Sequence, residues 1–170
     1  PPGFGYFTRQ YREFDPSAVE ERYYSSLATT ERTAIDTAVQ AARVIADRAL
    51  IEITSTVQSL DASGRWGRLK VVDTKHRVKT STSLARAYLL AEDEDVELSE
   101  FIAAQKDRVR FSVEVDVDRY EKAVSATLDA LRARGYIAQK IVNFWSGGGR
   151  HNGLNVTLED SDDFLMELQF

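Results

Sequence analysis

The sequence predicts an α+β fold: a mixed, mainly antiparallel sheet with helices packed on one face and a polar cleft on the other, preceded by N-terminal helices. Strict alternation of apolar and polar residues over 109–115, 154–158 and 164–170 predicts strands that are buried on one side only. Apolar residues spaced three or four apart over 35–60 and 120–131 predict amphipathic helices. The polar strand face carries six side chains: Arg110, Ser112, Asn155, Thr157, Glu167 and Gln169.

The length of 170 residues is that of one compact domain. We expect an arm or linker over 1–14, helices over 15–63, and the sheet over 66–170. A helix is predicted to begin at Asp15-Pro16, and Gly135 is predicted to end the helix before it. Phe144 and Trp145 are assigned to the core.

Composition excludes several classes of site. The chain has no cysteine, which rules out disulfides, thiolate chemistry and cysteine-based zinc sites. The net charge of −5 argues against broad nucleic-acid binding but leaves room for a local basic pocket. No stretch approaches the roughly 20 apolar residues of a membrane span, so we expect no membrane association.

Three basic residues fall on alternate positions, Lys75, Arg77 and Lys79. On an extended strand this spacing places all three on one side, where they would clamp a triphosphate. The alternative is a solvated edge strand that lysines protect from aggregation. Spacing alone leaves both interpretations open.

Two carboxylates are candidates for a metal site: Asp107, which is followed by Arg110, and Glu167, which lies within an apolar segment. Magnesium on a nucleotide needs only one or two carboxylates, because phosphate and water complete its shell. Glu167 is either functional or simply solvated on the polar face. The glycines at 147–149 lack the Lys-Ser/Thr pair of a P-loop, and we interpret them as a flap that brings Arg150 to a phosphate.

Four segments in order resemble the synthetase domain of RelA/SpoT alarmone enzymes. Arg77–Leu84 resembles the donor-binding R-x-K-x-x-x-S segment, and Asp107–Phe111 resembles the entry to the second strand. Asn143–Trp145 with Asn152–Thr157 resembles the acceptor loop, and Glu167–Phe170 resembles the E-x-Q strand. The likeness covers about residues 70 to 170.

The resemblance implies transfer of pyrophosphate from ATP to a nucleotide 3′-hydroxyl. Asp107 and Glu167 would be catalytic and would hold Mg²⁺, with Glu167 as the base. The implied ATP-binding residues are Lys75, Arg77, Lys79, Ser83, Arg86 and Arg110. The implied acceptor-binding residues are Arg150, His151, Asn155 and Gln169.

His151 stands where the family usually has a stacking tyrosine, and no carboxylate is next to it in sequence. We therefore expect an adenine nucleotide as acceptor, which gives (p)ppApp. The alternatives are a (p)ppGpp synthetase, an enzyme that modifies the tRNA 3′ end, and an inactive synthetase-fold binding module.

The resemblance is closest to interbacterial toxins of this fold. It implies a secreted effector fragment that acts in the cytoplasm of a target bacterium and has a cognate immunity protein. The alternative location is the cytoplasm of the producing cell.

Overall fold

A computed structural model describes residues 16–91, 96–145 and 153–170. The described elements are α1 (Pro16–Ser26), α2 (Thr29–Ala62), β1 (Leu69–Val72), α3 (Ser81–Leu89), α4 (Leu98–Ala104), β2 (Arg110–Val115), α5 (Tyr120–Arg132), β3 (Ile137–Asn143), β4 (Leu154–Glu159) and β5 (Leu165–Gln169). Two short 3₁₀ segments, Thr74–His76 and Val117–Arg119, follow β1 and β2.

The five strands form one sheet in the order β1-β2-β5-β4-β3. Three of the four neighbouring pairs are antiparallel, and only β2 and β5 run parallel. The α+β class and the mixed, mainly antiparallel sheet predicted from sequence are therefore confirmed. The strands predicted from alternation correspond to β2, β4 and β5.

Helix α2 joins two hydrophobic clusters because apolar residues recur along its whole length of 34 residues. Its second half packs with α5 against the sheet, where Ile53 and Val57 belong to the same buried cluster as Phe111 and Leu168. Its first half packs with α1, α3 and α4, where Ile35 is fully buried. Among the described residues, no helix is long and apolar enough to cross a membrane.

Helix α5 ends where the sequence predicted. Gly135 adopts a φ of +95°, which costs little for glycine but is strained for other residues. The chain then turns directly into Tyr136 and β3. This turn places α5 on the sheet with Val124 and Leu131 in the core.

Tyr136, just before β3, is joined to α2 by a partly buried hydrogen bond. Its hydroxyl donates to Oε2 of Glu52 at 2.5 Å, and its ring is 4% exposed. Burial, and then the bond to Glu52, raises the pKa of Tyr136 well above the ordinary value of 10.0. The neutral phenol is thus the form that the folded protein favours.

Replacing Tyr136 with Phe is expected to lower the free energy of unfolding by about 1.5–3 kcal/mol at neutral pH, because a hydrogen bond to a charged acceptor is lost while the ring remains. The phenol has a higher pKa in the folded than in the unfolded state, so its stabilisation is complete below about pH 10 and declines above it. Urea unfolding of both proteins should show their difference shrinking above about pH 10. A difference that stays constant from about pH 8 to about pH 11 would refute this role.

Candidate active site

The sheet face opposite α2 and α5 is organised in rows that cross several strands. One row runs through Ser112 on β2, Gln169 on β5 and Asn155 on β4, which are neighbours in register. The next row runs through Arg110 and Glu167 to Thr157. Strand alternation therefore collects the polar residues on one face, as the sequence predicted.

Glu167 lies at the centre of these rows and is 8% exposed. Its Oε1 atom accepts hydrogen bonds from Nδ2 of Asn155 at 3.0 Å and Nε2 of Gln169 at 2.6 Å, and lies 3.3 Å from Nε of Arg110. No described residue donates a hydrogen bond to its Oε2 atom. A buried carboxylate is stable only with such donors, so one oxygen is fixed and the other is left to accept a proton or bind a cation.

Asp107 lies three residues before β2 and shares Arg110 with Glu167. Nζ of Lys79 is 2.8 and 3.0 Å from its two oxygens, and Nη2 of Arg110 is 3.6 Å from Oδ2. Arg110 therefore contacts both carboxylates. We call Lys79, Asp107, Arg110 and Glu167 the charged array, in which two cations alternate with two anions.

Backbone pairing explains why Lys79 meets a residue 28 positions away. Val78 forms an antiparallel bridge with Val109, and Lys79 N donates to Arg108 O at 2.9 Å. Arg110 N donates in turn to Arg77 O at 2.8 Å. The segment before α3 is thus held against the first residues of β2.

The predicted extended strand through Lys75, Arg77 and Lys79 is wrong. Residues Thr74–His76 form a 3₁₀ helix, and Arg77 has helical angles, so alternation does not place the three side chains on one face. Arg77 pairs with Asp47 of α2 and donates to Thr74 O at 2.8 Å. Lys75 is exposed and makes no described contact with the charged array.

Ser83 and Arg86 contact helix α1 rather than the charged array. Oγ of Ser83 donates to Oε2 of Glu20 at 2.8 Å, and Nη1 of Arg86 lies 3.6 Å from Oε1 of the same residue. Helix α3 nevertheless begins two residues after Lys79, with Thr80 as its N-cap. The two predicted ATP-binding residues on α3 therefore adjoin the array in the chain without touching it.

The predicted acceptor residues divide into two groups. Asn155 and Gln169 are neighbours beside Glu167, and Oδ1 of Asn155 is buried with no hydrogen-bond partner among the described residues. Arg150 and His151 lie outside the described residues.

Phe144 and Trp145 are not core residues, and the sequence-based assignment of both is wrong. Their exposed fractions are 38% and 46%. The ring of Trp145 meets Tyr120 edge-on, with 5.1 Å between centroids. Trp145 borders a cleft of about 440 Å³ at the end of β2 and β5, whose lining includes Ser112, Glu114 and Gln169.

Carboxylates suited to a metal are few in this region. Over residues 16–91, 96–145 and 153–170, no group of three or more histidine or carboxylate side chains is arranged to hold a cation. Asp107 and Glu167 offer two carboxylates, which suits a magnesium ion that takes its other ligands from phosphate and water. Arg110 now supplies positive charge between them, and its half-exposed side chain can move aside.

The chain matches no protein-family model, and it matches no curated protein sequence.

Proposed function

We propose that the protein is a nucleotide pyrophosphokinase that transfers pyrophosphate from ATP to the 3′-hydroxyl of a purine nucleotide. The observation that carries the proposal is the charged array, in which Lys79 pairs with Asp107, Arg110 contacts both carboxylates, and Oε2 of Glu167 has no hydrogen-bond donor among the described residues. The order of the four RelA/SpoT-like segments along the chain supports the same reaction.

In this reaction the acceptor 3′-oxygen attacks the β-phosphorus of ATP. The bond between the β-phosphorus and the oxygen that bridges to the α-phosphate breaks, and AMP leaves. Oε2 of Glu167 takes the proton of the hydroxyl, while Lys79 and Arg110 stabilise the charge on the transferred oxygens. Arg77 lies two residues before Lys79 in the chain and would bind the outer phosphates.

Asp107 and Glu167 would hold Mg²⁺, which supplies charge neutralisation as the pyrophosphate group leaves AMP. Occupation by the metal requires Lys79 and Arg110 to release these carboxylates. Both cations then become available to phosphate oxygens. The same side chains therefore pair with carboxylates when no substrate is bound and would bind phosphate in the complex. The remaining catalysis consists of positioning and electrostatics.

For the acceptor we propose an adenine nucleotide, with (p)ppApp as the product. His151 in place of a tyrosine supports this choice, because an imidazole stacks on a base with less area. No carboxylate adjoins His151 in sequence to accept the N1 and N2 protons of guanine. A toxin that acts in a target bacterium, restrained by an immunity protein, is the biological role we propose with it.

A second acceptor is favoured by a specific observation. The cleft beside Gln169 contains the carboxylate of Glu114, which has no partner among the described residues. Guanine offers two adjacent N–H donors to a carboxylate, whereas adenine offers one next to a lone pair. A (p)ppGpp synthetase is therefore the competing form of the proposal.

Competition between acceptors decides between these forms. With labelled ATP, magnesium and equal ADP and GDP, we expect labelled pyrophosphate on adenosine products in at least equal amount. Dominant guanosine products would establish the (p)ppGpp form, and transfer only to deacylated tRNA would establish the nucleic-acid form. No transfer to any acceptor by the folded protein would leave the fold as a binding module.

A further inference from the structure

The cleft of about 440 Å³ lies next to the charged array but is not part of it. Ser112 and Gln169, which line the cleft, lie two residues beyond Arg110 and Glu167 on the same strand faces. Two residues of strand span about 6.6 Å. A ligand in the cleft would therefore extend to Glu167 within the length of a nucleoside.

Hydrogen bonds connect the floor of the cleft to the candidate base. Oγ of Ser112 is 3.4 Å from Oε1 of Gln169, whose Nε2 donates to Oε1 of Glu167 at 2.6 Å. The Gln169 amide is thus oriented at both ends. Ribose hydroxyls on this floor would meet fixed donors and acceptors before reaching Glu167.

One wall of the cleft is an aromatic surface that the fold holds in place. The Tyr120 hydroxyl donates to Phe170 O at 3.0 Å and accepts from Leu154 N at 2.9 Å, so the tyrosine is anchored to β4 and β5. Trp145 rests edge-on against it, and Trp145 N donates to Oδ1 of Asn143 at 2.9 Å. Neither contact buries the indole, which is 46% exposed.

An exposed, fixed indole above a polar floor is suited to a flat, heteroaromatic ligand. Stacking of a base on an aromatic side chain contributes about 1–3 kcal/mol, and every base has a face to offer. A second cleft also borders Trp145, of about 570 Å³, but its lining consists of the start of α5 with Asn143 and Leu154. Only the first cleft leads along β5 to Glu167.

We propose that Trp145 stacks on the purine base of the acceptor nucleotide, with Tyr120 as its support and Ser112 and Gln169 beneath the ribose. That the bound nucleotide acts as an acceptor rests on the proposed function. The binding of a purine nucleotide at Trp145 is independent of that function.

Fluorescence tests the binding directly, because the chain has only two tryptophans. Trp66→Phe leaves Trp145 as the sole indole, and Trp145→Phe leaves Trp66, which lies under Arg65 at 4.6 Å and away from the cleft lining. Titration with ADP and GDP is expected to quench Trp145 saturably. At equal nucleotide concentrations, the Trp145→Phe protein corrects for absorbance by the ligand and should show no saturable change.

Kinetics supply the second measurement. Trp145→Ala is expected to raise the acceptor KM about tenfold or more and to leave the ATP KM unchanged, and Trp145→Phe should recover part of the loss. Circular dichroism checks that the half-exposed position tolerates both changes.

The two proposals can fail separately. Saturable quenching without transfer to any acceptor would overturn the pyrophosphokinase and leave a purine-binding site at Trp145. Transfer with an unchanged acceptor KM in Trp145→Ala, or equal quenching of both indoles, would overturn the stacking role alone.

Discussion

Glu167→Gln is expected to lower kcat by at least about a hundredfold while the protein stays folded. Glutamine keeps the size of the side chain and an oxygen that can accept the hydrogen bonds from Asn155 and Gln169. It loses the negative charge and the oxygen, Oε2, that would take the acceptor proton. The measurement is pyrophosphate transfer from labelled ATP under saturating acceptor.

Asp107→Asn should show a comparable loss, because one of the two candidate magnesium ligands is weakened. Glu159→Gln is the matched control, since Glu159 is a carboxylate on β4 that bonds Gln139 and lies outside the charged array. It should retain activity. Full turnover in well-folded Glu167→Gln and Asp107→Asn proteins would refute the pyrophosphokinase. Expression in bacteria gives a parallel measurement, with growth arrest expected for the wild type and absent for Glu167→Gln.

Lys79→Ala is expected to weaken ATP binding about tenfold or more, because an interaction between a cation and phosphate is lost. Asp107 keeps Arg110 as a partner and is accessible to water, so the fold should tolerate the change. Calorimetry with a non-hydrolysable ATP analogue and magnesium measures the effect.

Lys122→Ala, which removes an exposed lysine from α5, is the control for general charge loss. If both variants bind the analogue as tightly as the wild type, Lys79 serves only to pair with Asp107.

The alternation of apolar and polar residues was sufficient to predict most strands of the sheet, because a strand buried on one side requires it. Phe111, Met166 and Leu168 are buried while their neighbours on either side point to the other face. Parity also placed Glu167 on the polar face. It did not give the degree of burial, which results from side chains that three different strands bring together.

Alternation failed between β1 and α3. Positively charged residues at every second position describe a strand only if the backbone is extended, and Asp73 adopts a φ of +54° just before the 3₁₀ turn. The pairing of Lys79 with Asp107 depends on a single bridge between distant segments. Contacts of that kind leave no periodic signal.

The assignment of Trp145 to the core was wrong because residue type alone does not show where a side chain lies in the fold. Large apolar residues are usually buried, but β3 is an edge strand of the described sheet, and Phe144 and Trp145 directly after it are exposed. Sequence reasoning also missed Glu114 in the cleft. The alternation of Glu114 with the core residues of β2 would have placed it on the polar face of the sheet. It would not have shown that Glu114 and Trp145 line the same cleft.

The central position of β5 has a consequence for how the protein acquires its site during folding. This strand comes after β4 in the chain but inserts between β2 and β4, and its pairing with β2 joins residues that are far apart in sequence. Such long-range pairing is expected to form late, since the entropy of loop closure must be lost before the contacts are made. Until β5 inserts, Arg110 and Asn155 belong to separate half-sheets, and Glu167 has neither partner. The step that closes the sheet therefore also brings the charged array together with Asn155 and Gln169.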